Sequence, residues 1–151
     1  TGADRLQFLV STNPGEPPKP MAKIASGGEL SCIMLALKTV LADRDVVGSM
    51  IFDEVDAGVG GSAANKVGRK LKQVSRSRQV ICVTHSAQIA AMADTHFQIE
   101  KKVSGGRTYT AVRALSEEER QAEVARMIGG SEVTPLTLQN AAEMIRLAQS
   151  F

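Results

Sequence analysis

The stretch Ser49–Asp56 constrains the fold more than any other, because a short apolar run ends there in adjacent carboxylates. It reads Ser-Met-Ile-Phe-Asp-Glu-Val-Asp. An apolar run of about four to eight residues bounded by turn residues is typical of a buried strand in a parallel sheet. Desolvating Asp53 and Glu54 at its tip is unfavourable unless a metal ion, a partner or a mechanism compensates. The stretch therefore predicts a strand that ends at a functional site or, alternatively, in a solvated acidic turn.

A second apolar strand, Gln79–Thr84, follows a helix predicted over residues 63–75 and ends at His85. Strand, helix and strand in this order form a right-handed parallel unit. The carboxyl ends of both strands then lie at one edge of the sheet, where such folds bind ligands. We therefore expect His85 beside Asp53 and Glu54, although a purely structural histidine is the alternative.

The two adjacent acids suit different tasks. In nucleotide-hydrolysing folds, an acid at such a strand tip, here Asp53, holds Mg²⁺ on the phosphates. A second acid beside it, here Glu54, is placed to take a proton from water. Because successive side chains of a strand point to opposite faces, we expect the two carboxylates to point in different directions.

A glycine-rich helix start precedes this strand. Ser26 is a predicted N-cap, and Glu29 three residues later completes a capping-box pattern. The unpaired N–H groups of Gly27 and Gly28 at a helix N-terminus would form an anion site. By itself this motif is weak evidence for a phosphate site, but its combination with the strand that ends at Asp53 and Glu54 is stronger evidence. The helix is predicted to continue through residue 42, with an apolar stripe through Ile33, Leu37, Val40 and Leu41.

The remaining elements follow from local patterns. Alternation predicts a strand over residues 5–11, and four of the five prolines predict an extended loop over residues 11–20. Residues 86–92 predict a short helix, and residues 95–100 and 107–112 predict a hairpin around Ser104-Gly105-Gly106. His96 is expected on a strand surface without a chemical role. Two helices are predicted last, over residues 117–128 and 137–149. A capping box from Ser116 to Glu119 begins the first of them.

Composition narrows the class of protein. The 151 residues suit one domain or slightly more, with the composition of a soluble globular protein. No apolar run approaches membrane-spanning length, so we expect no membrane partner. Cys32 and Cys82 lie far apart without metal spacing or a disulfide framework, which fits a reducing, cytoplasmic compartment and small core residues. The net charge of +2 is too small to indicate nucleic-acid binding. Six basic residues between 66 and 78 predict either a solvated helix face or a phosphate-contacting patch.

Several motifs in order resemble those of a known family. Residues 25–31, Ala-Ser-Gly-Gly-Glu-Leu-Ser, resemble the signature motif of ABC-type ATPases. Residues 51–56 resemble their Walker B strand and D-loop, and residues 83–85, Val-Thr-His, their switch-histidine strand. Residues 11–16 and 127–134 resemble the RecN family of bacterial DNA-repair ATPases, which is related to the SMC (structural maintenance of chromosomes) proteins. The resemblance covers nearly the whole chain.

The resemblance implies an α/β fold, the C-terminal lobe of an ABC/SMC-type ATPase head over residues 1–151, with parallel core strands flanked by helices and a β-hairpin. It implies ATP and Mg²⁺ as cofactors, and as partners the N-terminal half of the same head, a second head and DNA. Hydrolysis would occur between two heads. The implied roles are Mg²⁺ binding for Asp53, water activation for Glu54, a γ-phosphate contact for His85, binding of the second head's ATP for Ser26, Gly27, Gly28 and Glu29, and a dimer-interface position for Asp56.

The chain departs from the family pattern in two respects. Cys32 stands where RecN-type chains usually carry an arginine, and no Gly-x-x-x-x-Gly-Lys-Ser/Thr occurs. No sustained heptad predicts the coiled-coil arms either. We therefore expect a fragment cut where the arm re-enters the head, inactive alone. Two other hypotheses stay open: the head of another SMC-like ATPase, and a DNA-binding or scaffold module that does not hydrolyse ATP.

Overall fold

The computed structural model describes residues 2–11, 14–23, 27–41 and 47–151. A 3-10 turn at Met21–Lys23 precedes the first helix. In chain order the strands and helices are β1 (Leu9–Val10), β2 (Lys19–Pro20), α1 (Gly27–Val40), β3 (Ser49–Asp53), α2 (Gly61–Ser75), β4 (Gln79–Val83), α3 (Ala87–Ala90), β5 (Phe97–Ser104), β6 (Arg107–Ala114), α4 (Glu117–Gly129) and α5 (Pro135–Ala148).

The two predicted apolar strands, β3 and β4, form a parallel pair in the register Asp53↔Val83. Met50 and Phe52 on one face of β3 are buried in the main core. On the opposite face Ile51 is 73% exposed, and Ile81 and Val83 of β4 are exposed too. The expectation of a fully buried strand is therefore wrong for one face. Both helices that pack on the pair, α1 and α2, meet the core face, and no described element covers the other.

The main core joins the sheet to α1 and α2. Leu71 and Val74 of α2 are buried as predicted, and Val67 packs against the same cluster. The predicted stripe of α1 is wrong at its end, because Val40 is 83% exposed and Leu41 is exposed as well. Instead α1 turns the face that carries Gly28, Cys32 and Leu35 toward the core. These three residues follow an i, i+4, i+7 spacing, which is one face of a helix.

A second, smaller core lies between α3, α4 and α5. It contains Val124 and Ala125 of α4, Ala141 of α5 and two alanines of α3, which allow close approach of the helices. The predicted capping box of α4 is present: Ser116 Oγ accepts from Glu119 N–H at 3.2 Å, and Glu119 Oε2 accepts from Ser116 N–H at 2.9 Å. The helix ends before Gly130, which has φ 75 as a residue beyond a helix end often does.

The hairpin is longer than predicted. β5 and β6 pair over eight residues each, from Phe97↔Ala114 to Ser104↔Arg107, around a two-residue turn. Both turn residues, Gly105 and Gly106, have positive φ, which a type I′ turn requires. The N-terminal strand is shorter than predicted, since only Leu9–Val10 pairs, with Lys19–Pro20 at the end of the proline-rich segment.

Candidate functional site

The edge where β3 and β4 end carries the exposed acids and the histidine. Their parallel register brings the segments that follow Asp53 and Val83 out side by side, as the sequence predicted. Asp53 and Glu54 are exposed, and the His85 side chain is 80% exposed. Three groups that can bind metal, accept a proton and donate a hydrogen bond are therefore open to a ligand at one edge of the sheet.

Glu54 lies outside the strand. β3 ends at Asp53, and Glu54 has φ 50, in the left-handed region that non-glycine residues rarely occupy. The alternation of a strand therefore cannot set the directions of the two carboxylates, and that part of the sequence argument was wrong. Instead the backbone changes conformation between Asp53 and Glu54.

A tight turn follows Glu54. Its carbonyl accepts a hydrogen bond from Ala57 N–H at 3.0 Å, and the Asp56 carbonyl accepts one from Val59 N–H at 3.0 Å. Val55, between the acids, is fully buried. The turn is thus anchored by Val55 in the core while Glu54 stays at the surface.

The third acid, Asp56, is buried and only 2% exposed. Its Oδ2 accepts hydrogen bonds from Thr84 Oγ1 at 2.5 Å, His85 N–H at 3.1 Å and Ser86 N–H at 3.0 Å. His85 Nδ1 lies 3.4 Å from the same oxygen. Oδ1 is buried and has no hydrogen-bond partner among the described residues. The acidic turn and the histidine segment are therefore joined through one carboxylate oxygen.

The first turns of α1 contact the acidic segment directly. Ser31 Oγ donates to the Asp53 carbonyl at 3.3 Å, and Cys32 Sγ to the Val55 carbonyl at 3.3 Å. A Cβ on Gly28 would lie 2.5 Å from the Ala57 carbonyl oxygen, so only glycine permits this approach without a shift. These contacts hold the N-terminus of α1 against the turn that carries the acids.

The predicted signature residues lie in different surroundings. Gly27 is exposed, with nothing within 4 Å of an added Cβ, whereas Gly28 is buried against the turn. Glu29 is exposed in the first turn of α1. Ser26, predicted as N-cap and nucleotide contact, lies outside the described residues.

The donor set suits a cation that arrives with phosphates. Among the described residues, no three His, Cys, Asp or Glu side chains cluster as a ready-made metal cage. Mg²⁺ is commonly held by one or two carboxylates together with water and substrate phosphates. The exposed carboxylate of Asp53 at the strand tip fits that pattern.

Both cysteines are structural groups, as expected. They are free thiols, and both pack against the main core. Burial, reinforced by the negative charge of Asp56, raises the pKa of the Cys32 thiol. Burial together with Asp56 and Asp53 raises the pKa of Cys82 to about 11. Both thiols are therefore protonated near neutral pH and poorly nucleophilic.

Most of the basic cluster has partners within the chain. The Arg69 guanidinium lies 4.0 Å from the centroid of the Phe151 ring, and Arg76 donates to the Phe151 carbonyl at 2.6 Å. Lys70 donates to Gln73 at 3.0 Å, and Lys72 pairs with Asp94. These contacts favour the solvated helix face over a phosphate-contacting patch.

His96 was expected on a strand surface, and this expectation is wrong. The residue is half-buried and lies just before β5. Its Nδ1 is buried without a hydrogen-bond partner among the described residues. Burial, followed by the nearby Arg120 charge, lowers the pKa of its imidazole. The charges of Arg120 and Glu123 on α4 lie near it, and it is remote in sequence from the acidic turn.

Sequence reasoning missed Thr84, whose hydroxyl makes the shortest contact to Asp56. The only available signal was its place between an apolar strand and His85. The packing role of Gly28 was missed as well. Gly28 approaches Ala57, which is 29 residues away, and nothing in the sequence indicates that contact.

Known proteins similar to this chain are DNA repair proteins. The chain is 54% identical over 149 residues to DNA repair protein RecN of Halalkalibacterium halodurans, covering 99% of the chain and 26% of that protein. It is 51% identical over 147 residues to RecN of Bacillus subtilis, covering 97% and 26%, and 50% identical over 145 residues to RecN of Treponema pallidum, covering 96% and 25%. The chain thus spans about a quarter of the length of these relatives. No family model matches it.

A solved structure shares the fold. It comes from work on ATP-driven dimerisation and DNA-stimulated activation of SMC ATPases. The TM-score is 0.52 at 22% identity, covering 82% of this chain and 81% of that one. The likeness supports the predicted α/β head fold. None of the helices in the described ranges has the length and apolar character needed to cross a membrane.

Proposed function

Since this chain belongs to the RecN family along the quarter of RecN that it spans, we propose that it forms one half of an ATPase head in a DNA-repair protein. Completed by the rest of RecN, the head binds ATP and Mg²⁺ and hydrolyses ATP between two heads. The activity serves repair of DNA breaks by recombination. The proposal includes a cytoplasmic location, which the two free, core-packed cysteines fit.

One observation carries the proposal: the parallel register of β3 and β4 brings the exposed Asp53, Glu54 and His85 to one edge. The N-terminus of α1 is held against that edge through Ser31 and the Asp53 carbonyl. A helix N-terminus attracts phosphate, and the strand-tip acids attract a cation, so the edge suits a nucleotide with its metal ion.

Within that site the residues have separate roles. Mg²⁺ bound on the nucleotide would neutralise phosphate charge. Asp53 would hold that Mg²⁺, because its carboxylate is exposed at the strand tip. Glu54 orients a water molecule and takes its proton. His85 contacts the terminal phosphate through its exposed imidazole.

The half-head needs the rest of the head. Parallel sheets are usually covered on both faces, yet the outer face of this pair exposes Ile51, Ile81 and Val83. The P-loop pattern is absent from the sequence, and the relatives are about four times longer. The N-terminal part of RecN would supply both the cover and the P-loop.

The second head would approach at the N-terminus of α1. Gly27 is exposed and open there, which suits a phosphate brought by a partner. The Asp56 side chain is buried, so a dimer contact at this position would come from the exposed turn beside it, at Gly58 and Gly60.

The test is reconstitution. The segment should be produced in a complete RecN-type chain, and phosphate release measured with and without Mg²⁺. We expect Mg²⁺-dependent turnover that rises with protein concentration, because two heads are needed. A complete chain that stays folded and binds DNA without any turnover would support the scaffold hypothesis instead.

A further inference from the structure

The buried carboxylate of Asp56 lies between two surface segments. Desolvating a carboxylate is costly unless hydrogen bonds compensate. Among the residues that the structure describes, the compensating donors all come from one short segment, residues 84–86, and all reach Oδ2. Ser86 N–H is also 3.0 Å from Thr84 Oγ1, so the segment is held in a compact arrangement around the acid.

The backbone of Asp56 belongs to the other segment. The turn from Glu54 to Ala57 closes through the Glu54 carbonyl, and the next turn closes through the Asp56 carbonyl. Val55 is fully buried, which limits any movement of the turn. A displacement of Asp56 therefore moves the segment that carries Glu54 and the segment that carries His85 relative to each other.

The imidazole of His85 lies beside the same oxygen. Its Nδ1 lies 3.4 Å from Asp56 Oδ2, while the ring is otherwise mostly exposed. A carboxylate beside Nδ1 can accept a hydrogen bond from that nitrogen and so orient the ring. Nε2 is then the nitrogen available to a ligand.

We propose that Asp56 is a positioning residue, which sets the placement of His85 relative to Glu54 through the hydrogen bonds to Oδ2. The inference rests on the proposed function, since it assumes that both residues act on one nucleotide. A positioning role differs from a purely structural one, because a structural acid would affect the stability of the protein without selectively affecting the chemical step.

The test compares kcat and KM for variants of a complete RecN-type chain that carries this segment. Asp56→Ala removes all three hydrogen bonds, and we expect kcat to fall on the order of 10²-fold, as misplaced catalytic groups do, with KM for ATP little changed. Asp56→Asn keeps an oxygen acceptor and should retain more kcat than Asp56→Ala. Ser49→Ala is the control, because it removes the hydrogen bond to Gln79 at the opposite end of the same two strands.

A second variant pair avoids dependence on the folding of Asp56→Ala. Thr84→Val removes the hydroxyl that donates to Oδ2 at 2.5 Å and keeps the side-chain shape. We expect kcat to fall about tenfold, and Thr84→Ser, which keeps the hydroxyl, to recover most of the loss. Equal kcat for Thr84→Val and Thr84→Ser would count against the inference.

A double-mutant cycle supplies the decisive readout. If Asp56 acts through His85, Asp56→Ala should cost little further kcat in a His85→Ala background. Losses that simply multiply, or folded Asp56→Ala with parental kcat, would overturn the inference. The proposed function fails separately: a parent chain without Mg²⁺-dependent turnover, or one that Glu54→Gln leaves unaffected, would refute it whatever Asp56 does.

Discussion

Glu54 lies just after strand β3 and has a left-handed backbone conformation, whereas its neighbour Asp53 is the last residue of the strand. A non-glycine residue at φ 50 is strained by about 1 kcal/mol or more and persists where the surrounding structure enforces it. The hydrogen bond from Ala57 N–H and the burial of Val55 supply that enforcement. Two adjacent acids thereby have different backbone conformations and, under the proposed function, different roles.

Glu54→Gln should separate these roles. Glutamine keeps the size and hydrogen bonding of the side chain but cannot take a proton, so turnover in a complete RecN-type chain should fall about 10²–10⁴-fold while ATP binding survives. Asp53→Asn should instead weaken Mg²⁺-dependent nucleotide binding. Steady-state phosphate release and equilibrium nucleotide binding measure the two effects. Near-parental turnover of Glu54→Gln would remove Glu54 from its assigned role.

Gly28 and Gly27 form a matched pair for stability. Gly28→Ala should destabilise the protein by about 1–3 kcal/mol, since the added Cβ would lie 2.5 Å from the Ala57 carbonyl oxygen and 2.9 Å from its Cβ. Gly27→Ala, one residue earlier in the same helix, meets open space and should be neutral or slightly stabilising. Denaturant unfolding of the two variants measures the difference. Equal stabilities would show that the α1 contact with the turn is not close.

Helix α4 shows how local chemistry anchors an element independently of the site. The Glu119 carboxylate accepts hydrogen bonds from Ser116 N–H and from Arg113. These hydrogen bonds lower the pKa of the Glu119 carboxyl below its ordinary value of 4.5, and the one from the Ser116 backbone has the largest effect. A carboxyl with a lowered pKa in the folded state contributes stability above pH 4.5 and loses it as the pH falls through the folded value.

Glu119→Gln should therefore flatten the pH dependence of unfolding below pH 4.5. Glutamine retains an acceptor for the capping box but does not titrate. Glu118→Gln, on the same exposed turn, is the control, because the capping box uses Glu119. Thermal unfolding midpoints from neutral pH down to about pH 3 give the comparison. An unchanged pH profile in Glu119→Gln would contradict the assignment.

The open face of the β3–β4 pair is a feature that the proposed function explains at the scale of the whole molecule. A two-stranded parallel pair with one apolar face uncovered is unusual, because parallel sheets are normally covered on both faces. Under the proposed function the rest of the head covers this face. The segment then contributes acids, histidine and the signature helix, but not the P-loop.

The chain by itself should therefore neither bind ATP tightly nor hydrolyse it. The P-loop normally supplies many of the phosphate contacts, and its pattern is absent from the sequence. Isothermal titration of the pure chain with MgATP should give no measurable heat of binding at micromolar protein. A micromolar Kd would mean that the edge of β3 and β4 binds nucleotide without the other half.

Ser26→Arg should block association of two complete heads while each still binds ATP. Ser26 directly precedes α1, whose N-terminus would face the partner's nucleotide, so added bulk and charge there obstruct the approach. Sedimentation with ATP measures dimerisation, and nucleotide binding is measured in parallel. Normal dimers with ATP would show that the partner's nucleotide does not meet this helix.

The sequence by itself determined most of the elements and their order, although β2 lies in a segment that was predicted as a loop. Apolar runs, the Ser116–Glu119 capping box and the Gly105-Gly106 turn encode their own secondary structure, because strand propensity, N-capping and positive φ depend on residues close in sequence. The parallel pairing of β3 and β4 followed from the strand–helix–strand order, and with it the edge that carries Asp53 and His85.

Only the tertiary structure decided how that edge is built. The backbone of Glu54, the burial of Asp56, its contact with Thr84 and the approach of Gly28 to Ala57 all depend on residues from different elements. The buried face of α1 also depends on packing with other elements. It was predicted wrongly because the sequence of α1 is apolar on several sides. Local patterns specify which residues can be buried, and packing between distant segments selects which of them are.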